Sequence, residues 1–190
     1  SAVVDHTDSA GFGAGAILLF YTAAGMHAEP PRAFTQCLAY SQDGGKSWHK
    51  HEQNPIIERI EDDNRDPKVI WHKARACWIM ALYLSGNKFC LLSSSDAKTW
   101  THLQDIVLEG DNECPDFFPM TDEAGRERWI FSGASGIYQV GTFDGYHFSA
   151  ETKPHNFEYG RNGYASQTWS NAPYGRRIQI SWMAGGRYPE

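Results

Sequence analysis

Short apolar runs rich in Val, Ile, Leu and aromatic residues follow one another along this chain, each closed by Gly, Asp, Ser or Asn. That spacing predicts strands joined by tight turns. The best-defined unit places strands at Pro67–His72, Cys77–Tyr83 and Phe89–Ser93, with a fourth starting at Trp100. The same order fits the preceding stretch through Ala2–Val4, Ile17–Tyr21, Gln36–Tyr40 and Trp48–Lys50. It fits the following one through Phe117–Pro119, Arg128–Phe131, Ile137–Val140 and Phe148–Ala150. A further unit opens with Ala165–Trp169 and Arg177–Trp182.

A turn element marks the repeat. Ser41-Gln42-Asp43 leads to Trp48, Ser94-Ser95-Asp96 to Trp100, and Thr142-Phe143-Asp144 to Phe148, the three Asp lying 53 and 48 residues apart. In each, the Asp is expected to tie the turn by accepting backbone N–H bonds, with no catalytic part. A period of about 50 residues with four strands per unit is the signature of propeller blades. The fold expected is therefore all-β: a β-propeller of four-stranded antiparallel blades, in units of about 1–57, 65–110, 113–153 and 164–190. That makes about three and a half blades where propellers close with four to eight. Ser1 follows no initiator Met or signal segment, so the chain is expected to be an internal piece of a longer propeller protein.

Composition narrows the function classes. Of 190 residues, 41% are apolar and 14% aromatic, with seven Trp and 18 Gly, which agrees with a turn-rich β fold. The net charge of −6 comes with scattered basic residues, so a nucleic-acid partner is not expected. No apolar run approaches the length of a membrane span. Four Cys permit two disulfides without requiring them. The single His-x-His, His49-Lys50-His51, falls on an outer strand and reads as solvated; no metal, nucleotide or other cofactor is expected.

Candidate chemistry comes from register. The first strand of each blade lines a propeller's channel, and the residues heading these strands are Arg65-Asp66-Pro67, Glu113-Cys114-Pro115 and Tyr164-Ala165-Ser166-Gln167. Asp66 and Glu113, 47 residues apart, are expected at equivalent positions of adjacent blades and thus together in one funnel. Neighbouring carboxylates suit glycosidic cleavage, where one stays ionised and the other is held protonated by like-charge repulsion. Arg65 is expected to hold Asp66 or a sugar hydroxyl. Trp71, Trp169 and Trp182 are candidates for stacking on sugar faces, against the more ordinary reading of each as packing.

Taken together with Ser1-Ala2-Val3-Val4-Asp5, these motifs resemble those of the β-fructosidases of glycoside hydrolase family 32, the invertases, levanases and inulinases, over essentially the whole chain. The resemblance implies a five-bladed propeller, usually followed by a β-sandwich, that cleaves fructosyl bonds with retention. By that likeness Glu113 is the general acid/base and Asp66 the transition-state stabiliser, with Arg65, Ser1, Cys114, Tyr164 and Gln167 in the substrate pocket. Trp182 is retained as a further substrate-binding candidate. A fructose-containing oligo- or polysaccharide and an extracellular or periplasmic location are implied too. The family's nucleophile motif, Trp-x-Asn-Asp-Pro-Asn-Gly on a first blade, has no counterpart here, and Asp5 is not promoted to that role. The chain is thus expected to hold the second to fourth blades and part of the fifth, and to be inactive alone, with self-association through exposed blade edges.

Two other readings stay open at this level. One is a non-catalytic carbohydrate-binding propeller that kept the pocket. The other is a sialidase- or arabinanase-like glycosidase, although a sialidase needs an arginine cluster and only Arg65 occupies a channel position.

Overall fold

The computed structural model describes residues 1–61 and 64–185 of the chain. Strands β1 (Ala2–Asp5), β2 (Ala16–Ala23), β3 (Thr35–Ser41) and β4 (His49–Lys50) form one antiparallel sheet in sequential order. Strands β5 (Arg65–His72), β6 (Cys77–Ser85), β7 (Lys88–Ser94) and β8 (Thr101–Val107) form the second in the same way. The third runs β9 (Asp116–Thr121), β10 (Glu127–Ser132), β11 (Ile137–Phe143), β12 (Phe148–Ala150). A short strand not foreseen from the sequence, β13 (His155–Asn156), also pairs with β11. β14 (Gly163–Trp169) and β15 (Ile178–Met183) make a two-stranded sheet. The expected tail of that last unit, 186–190, lies outside the described residues.

This meander is the all-β propeller pattern expected, and strand β6 shows why it coheres. All but the last residue of β6 are buried. Alternation sends Trp78, Met80 and Leu82 into one core, with Leu18, Phe20 and Leu38 of the first sheet. It sends Ile79, Ala81 and Tyr83 into a second core, with Phe117, Trp129 and Phe131 of the third. A strand buried on both faces must be apolar throughout, as Cys77–Leu84 is. In contrast, every residue of β15 is exposed, Ile180 and Trp182 at 49% and 58% on one face and Met183 at 63% on the other.

The Asp turns form as expected. Asp43 accepts from the Lys46 and Ser47 backbones at 2.9 Å, and Asp96 from Lys98 and Thr99 at 2.9 and 2.7 Å. Asp144 takes Tyr146 and His147 at 2.7 Å. Asp5 is a turn anchor as well, buried and bonded by Thr7, Ser9 and Ala10. All four Cys are unpaired thiols.

Candidate active site

The inner strands β5, β9 and β14 begin with a shared backbone device. Asp66, Glu113, Cys114 and Ala165 take left-handed conformations, with φ of 63°, 50°, 42° and 54°. Each such residue costs about 1–3 kcal/mol and survives only where the surroundings impose it. The ladders slip beside these residues, between Arg65 and Lys68 in β5 and between Tyr164 and Gln167 in β14. Slips of this kind re-aim side chains beside active sites.

The re-aimed residues form three rows across the strands. In the outermost, Arg65 donates to one oxygen of Glu113 and the Tyr164 hydroxyl donates to the other. In the second, Asp66 Oδ2 accepts the Cys114 backbone N–H at 3.0 Å and its thiol at 3.5 Å. In the deepest, the buried Lys68 ammonium lies 3.2 Å from Asp116 Oδ1, and donates to Gln167 Oε1 at 3.2 Å and the Thr168 carbonyl at 2.8 Å. Asp116 Oδ2 accepts the Thr168 N–H at 2.6 Å, while the Gln167 amide donates to the Cys114 and Pro115 carbonyls at 3.1 and 3.0 Å.

This corrects the expected equivalence of Asp66 and Glu113. The left-handed residue before each proline is Asp66 in β5 and Cys114 ahead of β9, so Glu113 stands opposite Arg65, one residue further out. The two carboxylates still meet, through Arg65, whose Nε is 3.9 Å from Asp66. Arg65 therefore serves Glu113 first, and its guanidinium rests 4.6 Å over the Tyr83 ring.

Electrostatics follow from these contacts. Burial pushes the Glu113 carboxyl up, but the Tyr164 hydroxyl and the Arg65 guanidinium outweigh it and hold Glu113 below its ordinary value. The expectation that like-charge repulsion lifts this carboxyl is thus not met, because the cation is closer than the other carboxylate. Burial, and then the Asp66 charge, push the Cys114 thiol up to about 12. Cys114 is expected to resist iodoacetamide through about pH 9, since the thiolate is the nucleophile. Asp66→Asn removes the Asp66 charge, the largest upward push after burial, and should speed alkylation, as read by mass spectrometry. Equal rates in parent and variant would contradict this coupling.

The remaining candidates divide. Trp182 pairs across from Tyr164, with ring centroids 6.4 Å apart, and stays exposed beside the outer row. Ser1 Oγ accepts the Val69 N–H at 2.9 Å, so it braces β5 beside the site. Trp71 packs edge-on to Trp78 at 4.8 Å and is half-buried against the first core. Trp169 remains exposed on β14. Sequence reading missed Thr22, whose hydroxyl accepts the Asp66 N–H at 3.1 Å, and the pair Lys68 and Asp116. The pair was legible in principle: each lies two residues beyond the left-handed position of its strand, as Gln167 does from Ala165.

An all-β propeller with two carboxylates sharing an arginine at its strand heads has the architecture of a glycosidase domain. The chain belongs to glycosyl hydrolase family 32, whose N-terminal domain matches residues 1–190. It is 33% identical to a levanase of Bacillus subtilis, aligned over 99% of this chain and 31% of the relative. It is 30% identical to an extracellular exo-inulinase of Meyerozyma guilliermondii, over 98% of this chain and 40% of the relative. The structure of β-fructofuranosidase from Schwanniomyces occidentalis complexed with fructosyl-erythritol superposes with a TM-score of 0.86 at 29% identity, covering 97% of this chain and 39% of that one. The chain thus spans between about a third and a half of the curated relatives it matches, the share reaching 51% in a levanbiose-producing levanase of Geobacillus stearothermophilus.

Proposed function

We propose that the chain carries the fructosyl-gripping and proton-transferring part of a retaining β-fructosidase site. The observation that supports this most is the convergence of Asp66 and Glu113 on Arg65 from two separate sheets. In this reading Asp66 receives fructose hydroxyls. Its Oδ2 is engaged by Cys114, while Oδ1 accepts no hydrogen bond from the described residues. Glu113 protonates the leaving oxygen and later activates water. Arg65 and Tyr164 orient Glu113, and Gln167 keeps the Cys114–Pro115 turn in place beneath the sugar. Trp182 offers an exposed ring at the rim.

A proton donor must be protonated when substrate is bound, yet Arg65 and Tyr164 favour the ionised form. A third carboxylate brought beside Arg65 would compete for its charge and lift Glu113, as paired-carboxylate sites require. We place that nucleophile on a further strand head of a five-bladed propeller. Units 1–57, 65–110, 113–153 and 164–190 then serve as the second to fourth blades and part of the fifth. Substrates are sucrose, levan or inulin, and the working location is extracellular or periplasmic, to be checked by fractionating the producing cells.

The test uses the purified 190-residue chain. Isothermal titration with fructose or a short fructan is expected to show binding that Asp66→Asn weakens about tenfold to a hundredfold, the loss of one or two charge-assisted hydrogen bonds. Turnover of sucrose, levan and inulin should be absent. Hydrolysis abolished by Glu113→Gln would overturn the incomplete-site reading, and Asp66-independent binding would overturn the role of Asp66. The apolar face of β15 further predicts concentration-dependent self-association, read by size exclusion with light scattering. A chain monomeric across a hundredfold range would refute it.

A further inference from the structure

A second feature lies on the outer edge of the first sheet. Strand β4 is the fourth strand of that sheet, about 14 Å from its inner strand at ~4.8 Å per spacing. Here Phe12, Tyr40, Trp48, His49, His51 and Gln53 border an open groove of about 610 Å³. This volume lies within the range of small-ligand sites. Nothing in the channel chemistry uses it.

The groove's rings are held in place. Phe12 and Tyr40 stack face to face at 3.9 Å with planes 7° apart, so each fixes the other at the groove's border. His51 meets Phe12 edge-on at 5.9 Å and His49 lies 5.5 Å from Tyr40. Trp48 is 43% exposed, yet its Nε1 is tied to the Gly45 carbonyl at 3.1 Å. That tie depends on the Asp43 turn, where Gly45 takes φ +89°. An exposed indole is thus fixed by the same hairpin that ends the repeat.

The rim has the opposite character. The side-chain polar groups of Lys50, Glu52 and Gln53 make no hydrogen bond among the described residues and are open to a ligand. Lys50 and Glu52 oppose each other in sign along the rim, and the Lys98 ammonium lies 5.4 Å from the Phe12 ring centroid, tied to the Ala10 carbonyl at 2.8 Å. Rigid aromatic faces attract the weakly positive C–H face of a sugar ring, and free donors and acceptors match its hydroxyls. Little ordering is needed on binding, which favours affinity.

We propose that this groove is a secondary binding site for a neutral saccharide, occupied by a stretch of fructan that does not enter the channel. The fructan identity of the occupant rests on the proposed function; the saccharide chemistry does not. A site of this kind tethers a polymer and raises its local concentration at the strand heads.

Electrophoresis of the 190-residue chain through native gels containing levan, inulin or dextran tests this. Levan or inulin is expected to retard the parent chain. Trp48→Ala should weaken that affinity at least fivefold, with fructose binding in the channel unchanged. Trp48→Phe, which keeps a ring, should recover most of it, and matched melting curves establish that both variants fold. Retardation that is absent in the parent, or equal in the parent and Trp48→Ala, overturns the site. Trp48-dependent retardation by dextran alone overturns the fructan occupant. Loss of Asp66-dependent fructose binding with Trp48-dependent retardation by levan or inulin intact sinks the channel reading and leaves this one standing.

Discussion

Replacing Lys68 by methionine is expected to destabilise the chain by about 3–5 kcal/mol, the usual consequence of removing one partner from a buried ion pair. Lys68 and Asp116 are 9% and 1% exposed. The ammonium carries the contacts that join three inner strands: its own, β9 through Asp116, and β14 through Gln167 and Thr168. Burial holds the Lys68 pKa below its ordinary value against the pull of Asp116, and a buried ion pair generally adds little net stability because desolvation offsets the attraction. Its loss is nevertheless expensive, because the Asp116 carboxylate stays behind. Arg177 also feels that charge while bonding Thr168 Oγ1 at 2.9 Å, which puts the expected loss at the lower end of the range. Lys68→Met with Asp116→Leu should recover most of the stability, since replacing both partners removes the stranded charge. Urea unfolding of the two single variants and the double variant measures this. A Lys68→Met midpoint equal to the parent's would show that the inner strands are spaced by packing alone.

The second large effect concerns Glu113. Burial raises this carboxyl, and the Tyr164 hydroxyl with the Arg65 guanidinium lower it. Arg65→Leu removes both the hydrogen bond and the charge of the guanidinium, so the Glu113 pKa is expected to rise, and with it the protonated fraction at pH 5–6. The sign carries over to stability. A carboxyl depressed in the folded state stabilises the fold above its unfolded pKa of about 4.3, and that contribution fades as pH falls through the lower folded value. The parent should therefore lose stability on acidification below about pH 4.3, and Arg65→Leu should lose less over that interval. Carbon-13 titration of labelled Glu side chains, with urea midpoints at each pH, reads both effects. An unchanged Glu113 titration in Arg65→Leu would remove Arg65 from its electrostatic role.

Much of the fold was legible because it is local. An alternating or fully apolar run declares a strand whatever surrounds it, and the Asp turns carry their own backbone donors; the strands at Cys77–Ser85 and Phe148–Ala150 lie where the pattern predicts them. β13 was not legible, since two polar residues, His155 and Asn156, pair only because the short β12 stops at Gly141 and leaves Ile137 and Tyr138 of β11 to them.

The site was legible in its membership and not in its alignment. By itself the sequence determined the all-β repeat, the Asp turns, and the candidacy of Asp66 and Glu113 at the heads of inner strands. Only the tertiary structure decided that Glu113 faces Arg65 and Tyr164, that Asp66 faces Cys114, and that Lys68 and Asp116 bind the strands beneath them. The reason is that the offset between blades is a non-local quantity. It is set by left-handed residues, ladder slips and buried inter-sheet contacts, each needing partners about 50 or more residues away to exist.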